Sequence, residues 1–146
     1  MSGVHEALGW VLIGVNTLAF LVGGGQWWRG GTSRLFWPLL RAGQLMVIVE
    51  AIDGGVLVLQ GKDLPNLHLI YGLVPLAVSF VAEQLRLAAA DQVLAQRGLE
   101  GRRDVERLPV EEQRGLVRAI LRREMGVMTA SAGVVALLGI RAAGLL

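Results

Sequence analysis

Apolar residues run through this chain in four long stretches, which are separated by polar segments. Each stretch is near the ~20 residues that a helix needs to cross the hydrocarbon core of a bilayer. We place the predicted spans at about residues 5–25, 35–59, 66–90 and 125–145. Short connections favour antiparallel neighbours. The pattern therefore predicts an all-α integral membrane protein, an up-down bundle of four transmembrane helices that forms one domain over residues 1–146.

The connections differ in length and character. The segment 61–66 holds Gly61 and Pro65 and is predicted to be a short turn that leads into the third span. The segment 91–124 is long and polar, and its second half has helical periodicity. Its apolar residues fall on one face and its arginines on another: Leu116, Val117, Ile120 and Leu121 against Arg114, Arg118 and Arg122. This is typical of an amphipathic helix that lies on a membrane surface, and we expect it before the last span.

Composition supports the membrane assignment. Hydrophobic residues make up 53% of the chain and charged residues only 18%, whereas soluble domains carry roughly 25% charged residues. The pI near 9.9 could indicate a nucleic-acid partner, but the arginines flank apolar segments. We therefore expect the lipid bilayer as the partner and no nucleic acid. The chain has no cysteine, which excludes disulfides, iron–sulfur clusters and thiol catalysis.

The distribution of Lys and Arg predicts the orientation. Of the 14 cationic residues, only Lys62 and Arg141 fall on the side of the second connection and the termini. The positive-inside rule then places both termini outside and the arginine-rich connection 91–124 in the cytoplasm. The heavy use of Ala, Gly, Val and Leu, and of Arg over Lys, resembles small four-span proteins of GC-rich bacteria. That resemblance implies the inner (plasma) membrane of a bacterium.

Ionisable residues inside the predicted spans are the candidate functional residues, because charges in a bilayer are unfavourable and usually serve a purpose. His5 and His68 begin the first and third spans, which run in parallel, so they are expected at similar depth. Glu50 and Asp53 lie three residues apart near the outer end of the second span and share one helix face. We expect these side chains to form a polar site in the outer half of the bundle.

One hypothesis for this site is haem. Two histidines on separate helices can ligate a b-type haem in a bundle core, and Tyr71 lies one turn after His68. This interpretation names His5, His68 and Tyr71 as cofactor-binding residues and electron transfer as the function. A second hypothesis is a divalent metal or ion site. Its candidate ligands offer the nitrogen and oxygen atoms that suit zinc, iron or manganese: His5, Glu6, Glu50, Asp53 and His68.

A third hypothesis is structural. Glu50 or Asp53 would pair with Arg141, Glu83 with Arg86, and the chain would be a homo-oligomer or an assembly subunit of a larger membrane complex without a cofactor of its own. A small ion or proton transporter or channel remains a further alternative. No nucleophile with an adjacent base is readable, so we do not expect an enzyme in the isolated chain.

Overall fold

The computed structural model describes residues 3–62 and 66–145, and of Asn66 only the backbone. The described residues form five helices, which are α1 (Gly3–Trp28), α2 (Phe36–Leu59), α3 (Asn66–Gln96), α4 (Arg102–Glu106) and α5 (Val110–Ala142). All but the short α4 are long and apolar enough to cross a membrane. The predicted all-α, four-span membrane bundle is confirmed. Residues 63–65 of the predicted turn lie outside the described residues.

The long helices pack as a four-membered bundle. Helix α5 packs against α1 and α3, and α2 packs against α1 and, less extensively, against α3. One buried cluster, centred on Phe36, Leu40, Met125 and Met128, fills the half where α2 begins. A second, which includes Leu12, Val47 and Val135, fills the other half. The looser packing of α2 on α3 leaves space beside the second cluster.

Glycines allow α1 and α2 to approach closely. A Cβ on Gly43 would lie 2.7 Å from Oδ1 of Asn16, and a Cβ on Gly23 would lie 2.6 Å from the ring of Phe36. Asn16 is 2% exposed, and its Nδ2 donates a hydrogen bond of 2.9 Å to the Leu12 carbonyl. Small residues at such contacts are typical of membrane helix pairs, which gain stability from close van der Waals packing.

The structure joins two segments that were predicted separately. The amphipathic segment and the last span are one continuous helix, α5, because no proline follows Pro109 and both patterns share the helical period. The third span was predicted to end at residue 90 and its helix to continue as a more polar segment toward residue 95, and α3 ends at Gln96. It ends where Gly98 takes a φ of 67°. There the amides of Gly98 and Leu99 donate to the carbonyls of Ala95 and Leu94, which is a Schellman motif.

A network of charged side chains joins three helices. Glu83 of α3 accepts hydrogen bonds from Arg41 and Gln44 of α2, the latter at 2.9 Å. Nε of Arg86 donates to Glu83 Oε2 at 2.8 Å, and Arg86 also lies 3.9 Å from Glu124 of α5. Charges that pair across helices avoid the cost of facing lipid alone. Glu83 and Arg86 were predicted to form a structural ion pair. In the structure, side chains of α2 and α5 extend this pair to a network.

Candidate functional site

The candidate site brings a histidine of α1 together with two carboxylates of α2. His5 lies in the first turn of α1 and is 8% exposed. Its Nδ1 is 2.9 Å from Oδ2 of Asp53 and 3.0 Å from Oε2 of Glu50. Glu50 and Asp53 are three residues apart on one face of α2. An imidazole near the start of α1 therefore meets carboxylates near the end of α2.

Two glycines lie beside this contact, and a Cβ at either position would meet the site at ordinary van der Waals distance. Gly9 lies one turn after His5, and a Cβ there would be 3.4 Å from Oε1 of Glu50. Gly54 follows Asp53, and its Cβ would be 3.8 Å from Cε1 of His5. Neither glycine was predicted as a site residue. Their positions, one turn from or adjacent to a predicted polar residue, were the signal that could have identified them.

One oxygen of the site has no partner. Oε1 of Glu50 is buried and accepts no hydrogen bond from the described residues. A buried oxygen of this kind loses the hydrogen bonds of water without replacement, which costs about 1–3 kcal/mol and more for a charged group. The pairing with His5 therefore satisfies only one side of the Glu50 carboxylate.

Helix α3 contributes the second histidine. The rings of His5 and His68 make an edge contact, with centroids 5.8 Å apart and planes at 61°. Tyr71 lies one turn further along α3, and the guanidinium carbon of Arg141 is 5.8 Å from the centre of its ring. Arg141 was predicted to pair with Glu50 or Asp53. Among the described residues, both of those carboxylates form their ion pairs with His5 instead.

A large cavity adjoins these groups. It has a volume of about 630 Å³ and is lined by residues of α1, α2 and α3 and by the end of α5. Its polar lining residues are His5, Glu6, Glu50, His68 and Tyr71. The rest of the lining is mainly apolar and includes Trp10. Glu6 is exposed and stands apart from the cluster that His5 forms.

Of the five predicted metal ligands, three lie close enough together to fit around one metal ion. One ligand atom each from His5, Glu50 and Asp53 lies within 4.8 Å of the others, and these are the only described residues that form such a group. Ligand atoms about 2.1 Å from a tetrahedral zinc ion are separated by about 3.4 Å. Small side-chain movements would therefore place all three around one ion. Haem ligation by His5 and His68 stays a prediction.

Comparisons with known proteins found no matching family model, no matching curated protein and no matching solved structure. The class of the protein is therefore defined by its own fold and site. It is a four-span all-α membrane bundle that carries a His–Glu–Asp group between α1 and α2 and a cavity beside that group.

Proposed function

We propose that this protein binds a divalent transition-metal ion at His5, Glu50 and Asp53, and that it handles metal ions in the membrane. The observation that carries the proposal is the convergence of one imidazole nitrogen and two carboxylates inside the bundle. The buried Oε1 of Glu50, which accepts no hydrogen bond from the described residues, supports it. A metal ion would satisfy that oxygen.

The ligand set favours one group of metals. Calcium takes six to eight oxygen ligands, and magnesium retains several waters in octahedral geometry. A mixed set of imidazole and carboxylate suits zinc, iron or manganese. With a neutral histidine, ionised Glu50 and Asp53 carry two negative charges, which a divalent cation balances. Such a balance matters within a span, where net charge is expensive.

His68 is the nearest candidate for a fourth ligand. Its ring contacts that of His5, and both line the cavity. Catalytic zinc sites keep one position for water or substrate. The cavity would leave such a position open on the side of the site that faces α3. In this proposal His68 either completes the site or orients the group that does.

The test is metal binding to the purified full chain in detergent. Protein stripped with a chelator is titrated with zinc, and bound zinc is counted by elemental analysis. We expect one zinc per chain, with His5→Ala and Glu50→Gln each weakening binding at least tenfold. Glu6→Gln is the matched control, because Glu6 lines the same cavity outside the metal group, and it should bind as the wild type does. Absence of stoichiometric zinc, iron or manganese from every sample would overturn the proposal.

The same sample tests a second candidate function. The contact of the His5 and His68 rings favours haem as the alternative ligand of this site. A Soret band in the absorption spectrum that disappears in both His5→Ala and His68→Ala would assign a haem and electron transfer. A metal site predicts a colourless zinc form. It also predicts that Glu50→Gln, which leaves both histidines intact, weakens zinc binding as much as His5→Ala does.

A further inference from the structure

A second cavity lies at the opposite end of the bundle. It has a volume of about 380 Å³ and lies where α1 and α3 end beside the first half of α5. Its polar lining consists of an indole, an amide and guanidinium groups, contributed by Trp27, Gln96, Arg97, Arg122 and Arg123. No carboxylate is part of this lining. We call it the arginine groove.

The three arginines of the groove have no acidic partner among the described residues. Other arginines of the chain do pair: Arg114 with Glu111 at 2.9 Å, for example. Glu124, which follows Arg123 in sequence, is turned toward Arg86. The guanidinium of Arg122 lies over Trp27, 5.6 Å from the ring centre. This contact orients one cation without neutralising it, so the groove keeps a concentrated positive charge.

The groove lies at the ends of two candidate membrane spans, where lipid headgroups are expected to meet the protein. Helix α1 ends at Trp28 and α3 at Gln96. Tryptophan is enriched at that level of membrane proteins. The positive-inside rule assigns this end to the cytoplasmic leaflet, in which anionic lipids attract basic residues.

An exposed apolar strip leads from the groove along α5. Gly126 follows Arg122 by one turn and packs against the indole of Trp27, from which a Cβ would be only 2.9 Å away. Ala130, Val134 and Leu137 continue the same helix face at spacings of three and four residues. All three are exposed, Val134 to 43% and Leu137 to 58%.

We propose that the arginine groove binds the phosphate headgroup of an anionic phospholipid, with an acyl chain of that lipid along the strip Ala130–Leu137. Guanidinium groups bind phosphate oxygens through paired, charge-assisted hydrogen bonds. Basic pockets between membrane helices on the cytoplasmic side bind headgroups in this way. A free phosphate ion would use the arginines but not the strip, and the continuity of the two features favours the lipid. The proposal is independent of the metal site.

The test compares lipid binding to the purified full chain by native mass spectrometry from detergent. The probes are phosphatidylglycerol and phosphatidylcholine with the same acyl chains. We expect at least tenfold tighter binding of phosphatidylglycerol. The double variant Arg97→Gln/Arg122→Gln should weaken that binding about 30-fold, and the single variant Arg122→Gln about fivefold.

The matched control is Arg103→Gln/Arg118→Gln. It removes the same charge from exposed arginines that also lack an ion pair in the described part of the chain, and it should bind phosphatidylglycerol as the wild type does. Equal losses in the two double variants would show a diffuse charge effect and overturn the proposal, as would equal binding of the two lipids. If inorganic phosphate competes at the same concentration as phosphatidylglycerol, the groove is a phosphate-ion site and the lipid assignment is wrong. Circular dichroism checks that each variant is folded, and the single variant carries the test if a double variant is not.

Discussion

The two ends of the bundle treat charge in opposite ways. At one end, His5 pairs with Glu50 and Asp53 across two helices, and one carboxylate oxygen is left without a hydrogen bond from the described residues. At the other end, the three cations of the arginine groove face outward without an acid among the described residues. The carboxylates between α1 and α2 thus have a histidine of the protein as their partner, whereas the arginines of the groove have no acidic partner in the described part of the chain. The metal proposal concerns the first end of the bundle, and the lipid proposal concerns the second.

The largest expected effect is the stabilisation of the folded protein by zinc, which should depend on the metal site and not on the arginine groove. A ligand present at a hundred times its dissociation constant stabilises the folded state by about 2.7 kcal/mol. We expect thermal unfolding in detergent to shift accordingly for the wild type and for Arg97→Gln/Arg122→Gln, and by at most about half as much for His5→Ala, whose zinc binding is at least tenfold weaker. The two sites are about 33 Å apart along α1, because Trp27 follows His5 by 22 positions and each position adds about 1.5 Å. Zinc and phosphatidylglycerol should therefore stabilise additively, and strong coupling would contradict the separation.

Removal of the Glu83 carboxylate, which pairs with arginines of two helices, should have the next largest effect on stability. Glu83→Ala leaves Arg41 and Arg86 without their shared acceptor, which should destabilise the protein by about 2 kcal/mol. The control is Glu111→Ala, whose carboxylate is 80% exposed and pairs only with Arg114 of the same helix. That change should cost less than about 1 kcal/mol. Chemical unfolding in detergent micelles measures both, and equal losses would mean that the network between helices contributes no more than a surface pair.

A substitution that disturbs the close packing of α1 and α2, beside the metal-site half of the bundle, should lower the stability somewhat less. Gly43→Ala places a methyl group 2.7 Å from Asn16, which is buried and cannot move freely. We expect a loss of about 1.5 kcal/mol from overpacking. Gly14→Ala is the matched control in α1, because nothing lies within 4 Å of its Cβ position, and it should be neutral or stabilising. Both are measured by the same unfolding experiment, and a tolerated Gly43→Ala would show that α1 and α2 can separate.

The smallest effect concerns an arginine at the metal-site end. Arg141→Gln removes the contact with the face of Tyr71 and should cost about 0.5–1 kcal/mol. Tyr71→Phe keeps the aromatic face and should preserve that stability. If Arg141→Gln instead weakened zinc binding tenfold, Arg141 would act on the metal site, and the contrast between the ends would need revision.

Hydropathy predicted the architecture because about 20 apolar residues have few alternatives in a chain with so little charge. The antiparallel order of the spans then placed His5, Glu50, Asp53 and His68 at one end of the bundle. Sequence could not select which groups would touch, because that depends on the rotation of each helix about its axis. Glu6, adjacent to His5, is exposed, and Arg141 stacks on Tyr71.

The arginine groove shows the same limit. The arginines of the connection 91–124 indicated the membrane orientation and an amphipathic helix on the membrane surface. Nothing in their spacing showed that Arg97, at the end of α3, would join Arg122 and Arg123 of α5. That juxtaposition depends on how far α3 extends and on the unbroken course of α5. The unbroken course of α5 differs from the two separate segments that the pattern predicted.

The unbroken course of α5 has a mechanical consequence. Its 33 residues measure about 50 Å at 1.5 Å per residue, while the bilayer core is about 30 Å thick. The first turns of α5 therefore lie outside the hydrocarbon. The other end of the same rigid helix, at Gly139 and Ala142, forms part of the wall of the large cavity. A tilt imposed on the first turns of α5 would displace that wall. Whatever engages the first turns of α5 thus has a rigid connection to the opposite side of the membrane.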